Sequence, residues 1–194
     1  MHSLTFYIQL GFEHISDLAG FDHVLFLVAL CAVYQPDQWR KLLVLVTAFT
    51  VGHSITLALS SFGALTISSE LIEFLIPLTI LLTALHNVMS RSAGDATAAM
   101  GKSYAMALFF GFIHGMGFSN YFRALLMDQS SIAVPLLGFN LGIELGQLLI
   151  VAVIIGVAFA FVRILGVQLR EWNLFVSGAA AGMAVILMAE ASFW

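Results

Sequence analysis

Long apolar stretches separated by short polar ones dominate the pattern of positions along the chain. An α-helix needs about 20 apolar residues to cross the hydrocarbon of a bilayer. Six stretches come close to that length: 20–35, 41–61, 70–90, 103–122, 133–162 and 173–192. The first is short, which the segment before it or a locally thin bilayer would relieve, and the fifth is long enough to tilt. The pattern therefore predicts an all-α polytopic membrane protein with six transmembrane helices.

The segment before the first span is apolar from Leu4 to Phe12 and becomes polar at Glu13–Asp17. It is too short to cross the membrane, and it has no Lys or Arg, whereas a secretory signal begins with a basic region. We expect a short interfacial or re-entrant helix that is not cleaved. Because the loops between the spans are short, residues 1–194 are predicted to form a single transmembrane helical domain.

Composition agrees with a membrane location, since 61% of the residues are hydrophobic and only 9% are charged, against about 25% charged residues in soluble domains. A soluble globular protein is therefore excluded. The 7 basic and 11 acidic residues include no basic run, and there is no P-loop motif, so neither nucleic acid nor a nucleotide is expected as a partner. Cys31 is the single cysteine, so a metal site has to use His, carboxylate and amide groups.

Basic residues orient the spans, because Lys and Arg near span ends stay preferentially in the cytoplasm. Only Arg123 lies near the fourth loop, and the second loop has no basic residue. The other six lie in or beside the first, third and fifth loops: Arg40, Lys41, Arg91, Lys102, Arg163 and Arg170. This distribution predicts that both termini lie on the outer side.

Ionisable groups inside the apolar stretches are candidates for function, because one at mid-helix costs about 2.5–3.5 kcal/mol on insertion scales. His53 and His114 lie about twelve and eleven residues from the cytoplasmic ends of their spans, so at ~1.5 Å per residue both lie near the midplane. Glu144 lies near the middle of the fifth span, and Asp22 and His23 lie near the outer start of the first. A single intramembrane His often only joins helices by hydrogen bonds, but several ligand-type groups at compatible depth favour a common site.

Further polar residues flank these positions. Asn140, Glu144 and Gln147 recur at the spacing of one helical stripe, and glycines at 138, 142 and 146 form a second stripe that allows a neighbouring helix to approach closely. The residues expected to orient ligands, to attract cations or to continue the path are His14, Asp17, Ser54, Thr56, Glu73, His86, Asn87, Asn140 and Gln147. For His86 and Asn87, interhelical hydrogen bonding is the alternative, and Glu190 is not expected to face inward to continue the path through the cytoplasmic half.

Imidazole and carboxylate groups without a thiolate suit a divalent transition metal such as nickel, zinc or cobalt. Three uses of such a site remain open. A secondary permease would pass the ion from the outer side through weak multi-site binding, without ATP. An intramembrane zinc-type hydrolase would hold the metal with three His and use Glu144 or Asp22 as the base. A structural metal would hold the helices together.

The residues 11–26, GFEHISDLAGFDHVLF, resemble the opening G-x-x-H-x-x-x-G-x-D-H-x-L-F signature of the HupE/UreJ family of membrane proteins. Four later stretches are similar to further motifs of that family in the same order: FTVGHSITL at 49–57, the helix at 70–87, FGFIHGMGF at 110–118 and FNLGIELGQ at 139–147. The resemblance covers most of the chain. One departure is the spacing of His14 and Gly20, which are six residues apart.

This resemblance implies a multi-pass protein of the bacterial inner membrane that is associated with hydrogenase and urease systems and acts as a permease for nickel or a related metal. Carried over to this sequence, it also implies five metal-contacting residues: His23, Asp22, His53, His114 and Glu144.

Overall fold

The fold is seen in a computed structural model that describes residues 3–18, 20–65, 67–89, 100–126 and 132–191. Within these ranges the chain forms helices and no strand. The α-helices are α1 (Leu4–Ser16), α2 (Asp22–Cys31), α3 (Trp39–Ser61), α4 (Ser69–Met89), α5 (Met100–Gly117), α6 (Ser119–Leu126), α7 (Ala133–Phe159) and α8 (Leu169–Glu190). A 3-10 turn at Pro36–Gln38 leads into α3, and a π-helix at Ala160–Ile164 extends α7.

Four of these helices are long and apolar enough to cross a membrane, namely α3 with its preceding turn, α4, α7 with its π-helical extension, and α8. They coincide with the second, third, fifth and sixth predicted spans. The first predicted span contains only the ten-residue α2, and the fourth is divided where α5 ends at Gly117 and α6 begins at Ser119. Arg91, which the predicted orientation uses, lies outside the described residues.

The predicted N-terminal helix is α1, and the helical structure is interrupted between α1 and α2. Asp17 ends α1 with an extended backbone, and α2 begins only after Phe21. As a result, the last turn of α1 and the first turn of α2 meet, and the ring centroids of His14 and His23 lie 4.8 Å apart.

The glycine stripe of α7 holds α1 in close parallel contact. Tyr7 lies against Gly138 and Ile15 lies against Gly146, so both helices advance by the same eight residues in the same direction. A Cβ atom on Gly142 would overlap the carbonyl oxygen of Ile8, which is backbone and cannot move aside. The prediction that this stripe allows close approach is therefore confirmed, and its partner is the N-terminal helix.

A second glycine-mediated contact joins α3 and α5, also in parallel. A Cβ atom on Gly111 would overlap the Phe49 carbonyl, and one on Gly115 would overlap the Thr56 hydroxyl and the His53 backbone. These two helix pairs form the most extensive contacts among the described helices. Together they fix three histidine backbones, since His14, His53 and His114 each lie within three residues of a glycine at a close contact.

Buried amide groups join α4 and α8, which run antiparallel. The Asn87 amide donates to the carbonyl of Ala29 at 2.7 Å and to the Ser177 hydroxyl at 3.3 Å. Asn173 in turn donates to the Asn87 carbonyl at 3.0 Å. Because a buried polar group is costly without a partner, this network supports the interhelical alternative for Asn87.

Candidate metal centre

Three imidazole rings converge between α1, α2 and α3. They belong to His14, His23 and His53, and one ring nitrogen of each lies within 4.8 Å of the others. His23 and His53 are buried, and His14 is partly buried. The three residues come from the end of one helix, the beginning of the next and the middle of a third, so only the tertiary fold brings them together.

Their nitrogens have the features of vacant ligand positions. Nε2 of His14, Nε2 of His23 and both ring nitrogens of His53 are buried and have no hydrogen-bond partner. Most buried polar side-chain atoms in folded proteins are hydrogen-bonded, so several orphaned nitrogens at one point need an explanation. A divalent cation supplies one, because each neutral imidazole offers a lone pair to a metal.

Asp22 orients His23. Its Oδ1 accepts the backbone N–H of His23 at 2.8 Å and lies 2.9 Å from Nδ1 of the same residue. With the proton on Nδ1 donated to the carboxylate, Nε2 is left with its lone pair directed away from Asp22. This carboxylate–imidazole arrangement is the usual support of a metal-binding histidine.

His114 borders the three rings and does not complete the close group. Its ring centroid lies 5.0 Å from that of His23, while its Nε2 lies 3.1 Å from the Thr79 hydroxyl on α4. Its other nitrogen, Nδ1, is buried without a partner. The structure therefore places His114 beside the cluster with one nitrogen used for an interhelical contact and one still available.

Aromatic rings close the cluster on two sides. Phe118 stacks on Phe139 with centroids 4.7 Å apart, and its ring lies 4.1 Å from that of His14. Phe26 and Phe49 lie 5.3 Å and 5.1 Å from the His114 ring. Such apolar walls exclude water and lower the local dielectric, which strengthens the binding of a cation by the nitrogens that remain.

The remaining side is open. A cavity of about 280 Å³ is lined by His14, His23 and His114 together with three carboxylate residues, Asp17, Asp22 and Glu73. Asp17 and Glu73, predicted from sequence as groups that attract cations, are both exposed and both line this cavity. A cation therefore has a polar approach to the imidazoles from one direction.

Glu144 lies apart from the imidazoles. Its Oε1 accepts the Thr47 hydroxyl at 2.7 Å, and the neighbouring Gln147 accepts that of Thr50 at 2.8 Å. Thr47 precedes His53 by six residues, which is about 9 Å along an α-helix. The polar stripe of α7 thus packs on α3 away from the cluster. Asn140, on the same stripe, donates to the carbonyl of Leu136 within α7.

The other predicted flanking residues have local roles. Ser54 and Thr56 donate to carbonyls of their own helix, those of Thr50, Gly52 and His53. His86 is exposed and, with Asn87, lines a separate cavity of about 30 Å³. Among the described residues, no contact is seen between the three imidazole rings and the side chains of Ser54, Thr56, His86 or Asn87.

Two features of the site were missed by the sequence reasoning. The sequence predicts a supporting role for His14, yet the structure places it among the three converging rings. The interruption between α1 and α2 turns the end of α1 toward His23. Thr79 was not singled out, although its hydroxyl meets His114. The spacing of Thr79, Thr83 and Asn87 along one helical stripe was the available signal.

Comparison with known proteins gives one match. No curated protein and no solved structure is significantly similar to the chain. The family model described as HupE / UreJ protein matches residues 1–194, the whole length. This agrees with the motifs that contain His23, His53 and His114, and the chain therefore belongs to the HupE/UreJ family.

Proposed function

We propose that the protein is a secondary permease for a divalent transition metal such as nickel, which it binds through His14, His23 and His53. The observation that supports this most directly is the convergence of three buried imidazoles with unpartnered nitrogens beside an open acidic cavity. Membership of the HupE/UreJ family, whose name links it to hydrogenase and urease systems, agrees with the handling of nickel.

The donor set favours a particular class of ion. Nitrogen donors suit Ni, Co and Zn, whereas Mg and Ca prefer a shell of oxygen atoms. His114 and Asp22 border the three nitrogens and can adjust the geometry as the ion moves. Glu144, which the sequence places among the metal-contacting residues, supports the contact between α7 and α3 instead.

A continuation of the path beyond the cluster is supported by polar side chains on α4. Thr79, Thr83 and Asn87 are buried and spaced by four residues, so they follow one face of the helix away from His114. The small cavity at the end of this stripe is lined by Thr83, His86, Asn87 and Ser103 among others. Thr83, His86 and Ser103 supply polar groups for the inner half of the path, whereas the Asn87 amide is engaged between helices.

Two phenylalanines close this side of the cluster. Phe26 and Phe110 are buried with ring centroids 6.0 Å apart, and both line the small inner cavity. Phe26 also contacts His114 at 5.3 Å. A site that is open to one cavity and closed from the other by aromatic rings matches one half of an alternating-access cycle.

We further propose that α1 and α2 together make one crossing, which gives six crossings with both termini on the outer side of the bacterial inner membrane. With 13 and 10 residues, at about 1.5 Å per residue, the two helices together reach the thickness of the hydrocarbon. Because α1 runs parallel to the first half of α7 and the end of α2 meets Asn87 near the end of α4, the break lies at mid-depth. Broken helices of this kind hold the substrate site in many transporters.

A zinc-type hydrolase is the second candidate, and one observation favours it. Three His with an open side facing a cavity is the ligand arrangement of catalytic zinc sites. Of the two bases considered, Glu144 bonds Thr47 and Asp22 bonds His23. In this reading Asp22 would have to leave His23 to activate a zinc-bound water.

The test compares metal retention with transport. Detergent-purified protein is analysed for bound metal and for nickel uptake into proteoliposomes, with His53→Gln as the test variant and His86→Gln as the matched control for binding. We expect loosely held metal and saturable uptake, both lost in His53→Gln, while His86→Gln still binds metal. One tightly held zinc per chain without nickel uptake would overturn the permease and favour the hydrolase. Size-exclusion chromatography detects unfolding of the variants. Unfolding of His53→Gln would favour a structural metal.

A further inference from the structure

A second cavity adjoins the one that reaches the imidazoles. It has a volume of about 300 Å³ and shares Gly20, Asp22, Glu73 and Ile76 with the first. Its far end is formed by Glu190 and Ala191, where α8 ends. The two cavities therefore form an approach that begins at the end of α8 and leads to His23 and His114.

Carboxylates from three separate helices line this approach. Asp22 begins α2, Glu73 lies in the first part of α4, and Glu190 is the last residue of α8. Glu190, which is not expected from sequence to continue the path through the cytoplasmic half, lies instead beside Glu73 and Asp22. None of the described residues that line the two cavities is Lys or Arg, so no fixed positive charge there offsets the carboxylates.

The backbone of α4 adds an oxygen at the same place. Pro77, which also lines the second cavity, has no N–H to donate to the carbonyl of Glu73 four residues earlier. That carbonyl therefore lacks its usual helical donor. A hydrated cation held by the Glu73 carboxylate would have a second oxygen donor from the same residue nearby.

An acidic surface alone is often only a solvated face of a protein, but this one leads to buried nitrogens that have no partner. His23 is 5% exposed and His114 is 0% exposed. Each lines the cavity of about 280 Å³ and has one unpartnered ring nitrogen. The carboxylates thus lie at the mouth of a passage whose inner end offers imidazole ligands.

We infer that Asp22, Glu73 and Glu190 form a loading site that captures a hydrated divalent cation before it exchanges water for the imidazoles. This inference rests on the proposed metal-binding function. Carboxylates at the mouth of a low-dielectric cleft raise the local concentration of cations and can increase association rates by about 10- to 1000-fold. Since they bind through charge, they accept magnesium as well as nickel or cobalt, while the imidazoles select the transition metal.

The loading site predicts that the two steps respond to different changes. Removing the Glu73 and Glu190 carboxylates slows the arrival of the metal and leaves its final occupancy unchanged. Magnesium in excess competes for the loading site and slows arrival, without displacing metal from the imidazoles. Salt reduces the advantage of the acidic residues, because the Debye length falls to about 3 Å at 1 M ionic strength.

The experiment follows cobalt binding to detergent-purified full-length protein by stopped-flow absorbance of the cobalt–imidazole complex. The variants are Glu73→Gln, Glu190→Gln and the pair together, which keep the shape of both side chains. Glu70→Gln is the matched control, since Glu70 is also exposed on α4, one turn from Glu73, and lines neither cavity. At low salt we expect the double variant to bind about tenfold more slowly with unchanged final occupancy, and magnesium to slow only the wild type and Glu70→Gln.

Each other outcome overturns the inference in a recognisable way. A double variant that binds cobalt as fast as the wild type shows that the carboxylates do not load the site. A double variant that loses final occupancy shows that they are permanent ligands. Wild-type protein that binds no cobalt overturns the imidazole site itself, and this failure of the proposed function is distinguished from the other two by the wild-type trace alone.

Discussion

Replacing Asp22 by Asn tests whether the carboxylate supports His23 as a metal ligand. The Asn side chain can still present an oxygen to the His23 backbone N–H and to Nδ1, which lie 2.8 Å and 2.9 Å from the Asp22 oxygen. The geometry is therefore kept, and the negative charge is removed. Without that charge the imidazole donates its lone pair to a metal less strongly, and the bound cation loses a nearby negative charge.

The size of the effect follows from burial. Loss of such a supporting carboxylate typically reduces metal affinity by about 10- to 100-fold. The Asp22 side chain is 27% exposed, so water screens part of its charge and the lower end of this range applies. We expect Asp22→Asn to weaken cobalt binding about tenfold, which corresponds to about 1.4 kcal/mol.

Equilibrium titration with cobalt in competition with a chelator measures this change. Asp37→Asn serves as the control, because Asp37 is exposed in the turn before α3 and contacts Arg163 rather than a histidine. An affinity of Asp22→Asn within twofold of the wild type would show that His23 does not depend on the carboxylate. A loss beyond a thousandfold would show that Asp22 binds the metal directly, and either result refutes the supporting role.

Three further changes test the scaffold and the path. Gly142→Ala places a Cβ against the Ile8 carbonyl, so α1 must shift and cobalt affinity should fall more than tenfold in the same titration; Gly178→Ala in α8, where a Cβ meets open space, should leave it unchanged. Thr79→Val leaves a buried His114 nitrogen without its hydroxyl partner and should cost about 1–3 kcal/mol of unfolding free energy, with recovery in Thr79→Ser. Phe26→Ala opens the closed side of the cluster and should increase the rate of nickel uptake into proteoliposomes, whereas a slower rate would contradict its role as a barrier.

The depth argument from sequence places several candidate ligands at one level, because helix rise is regular. The sequence predicts that His53 and His114 lie at one level, and the ring centroids of both lie within 6.4 Å of that of His23. The same argument does not decide the partner of Glu144, since depth along a helix does not reveal which neighbour its face meets. Glu144 faces Thr47 on α3, and this depends on how α7 is rotated against α3 and α1.

The role of His14 could not be read from hydropathy. Its helix is too short to cross the hydrocarbon alone, and hydropathy does not show that the end of α1 meets the beginning of α2. Glu190 presented the same difficulty at the other end of the chain. Both residues acquire their position from contacts between helices that are distant in sequence.

The glycine contacts between helices also fix the positions of histidines that are candidate metal ligands. Gly11 and Gly142 bring α1 to α7 at backbone contact, and Gly52 and Gly115 do the same for α3 and α5. Because these contacts are backbone to backbone, the helices cannot slide without breaking them, so the histidine beside each glycine is held at a fixed height. Among these four histidines, His23 comes from a short helix without such a contact. Its ring is instead held by the hydrogen bond with the Asp22 carboxylate. His23 is thus held in place by a side chain, whereas His14, His53 and His114 are held by the packing of their helices.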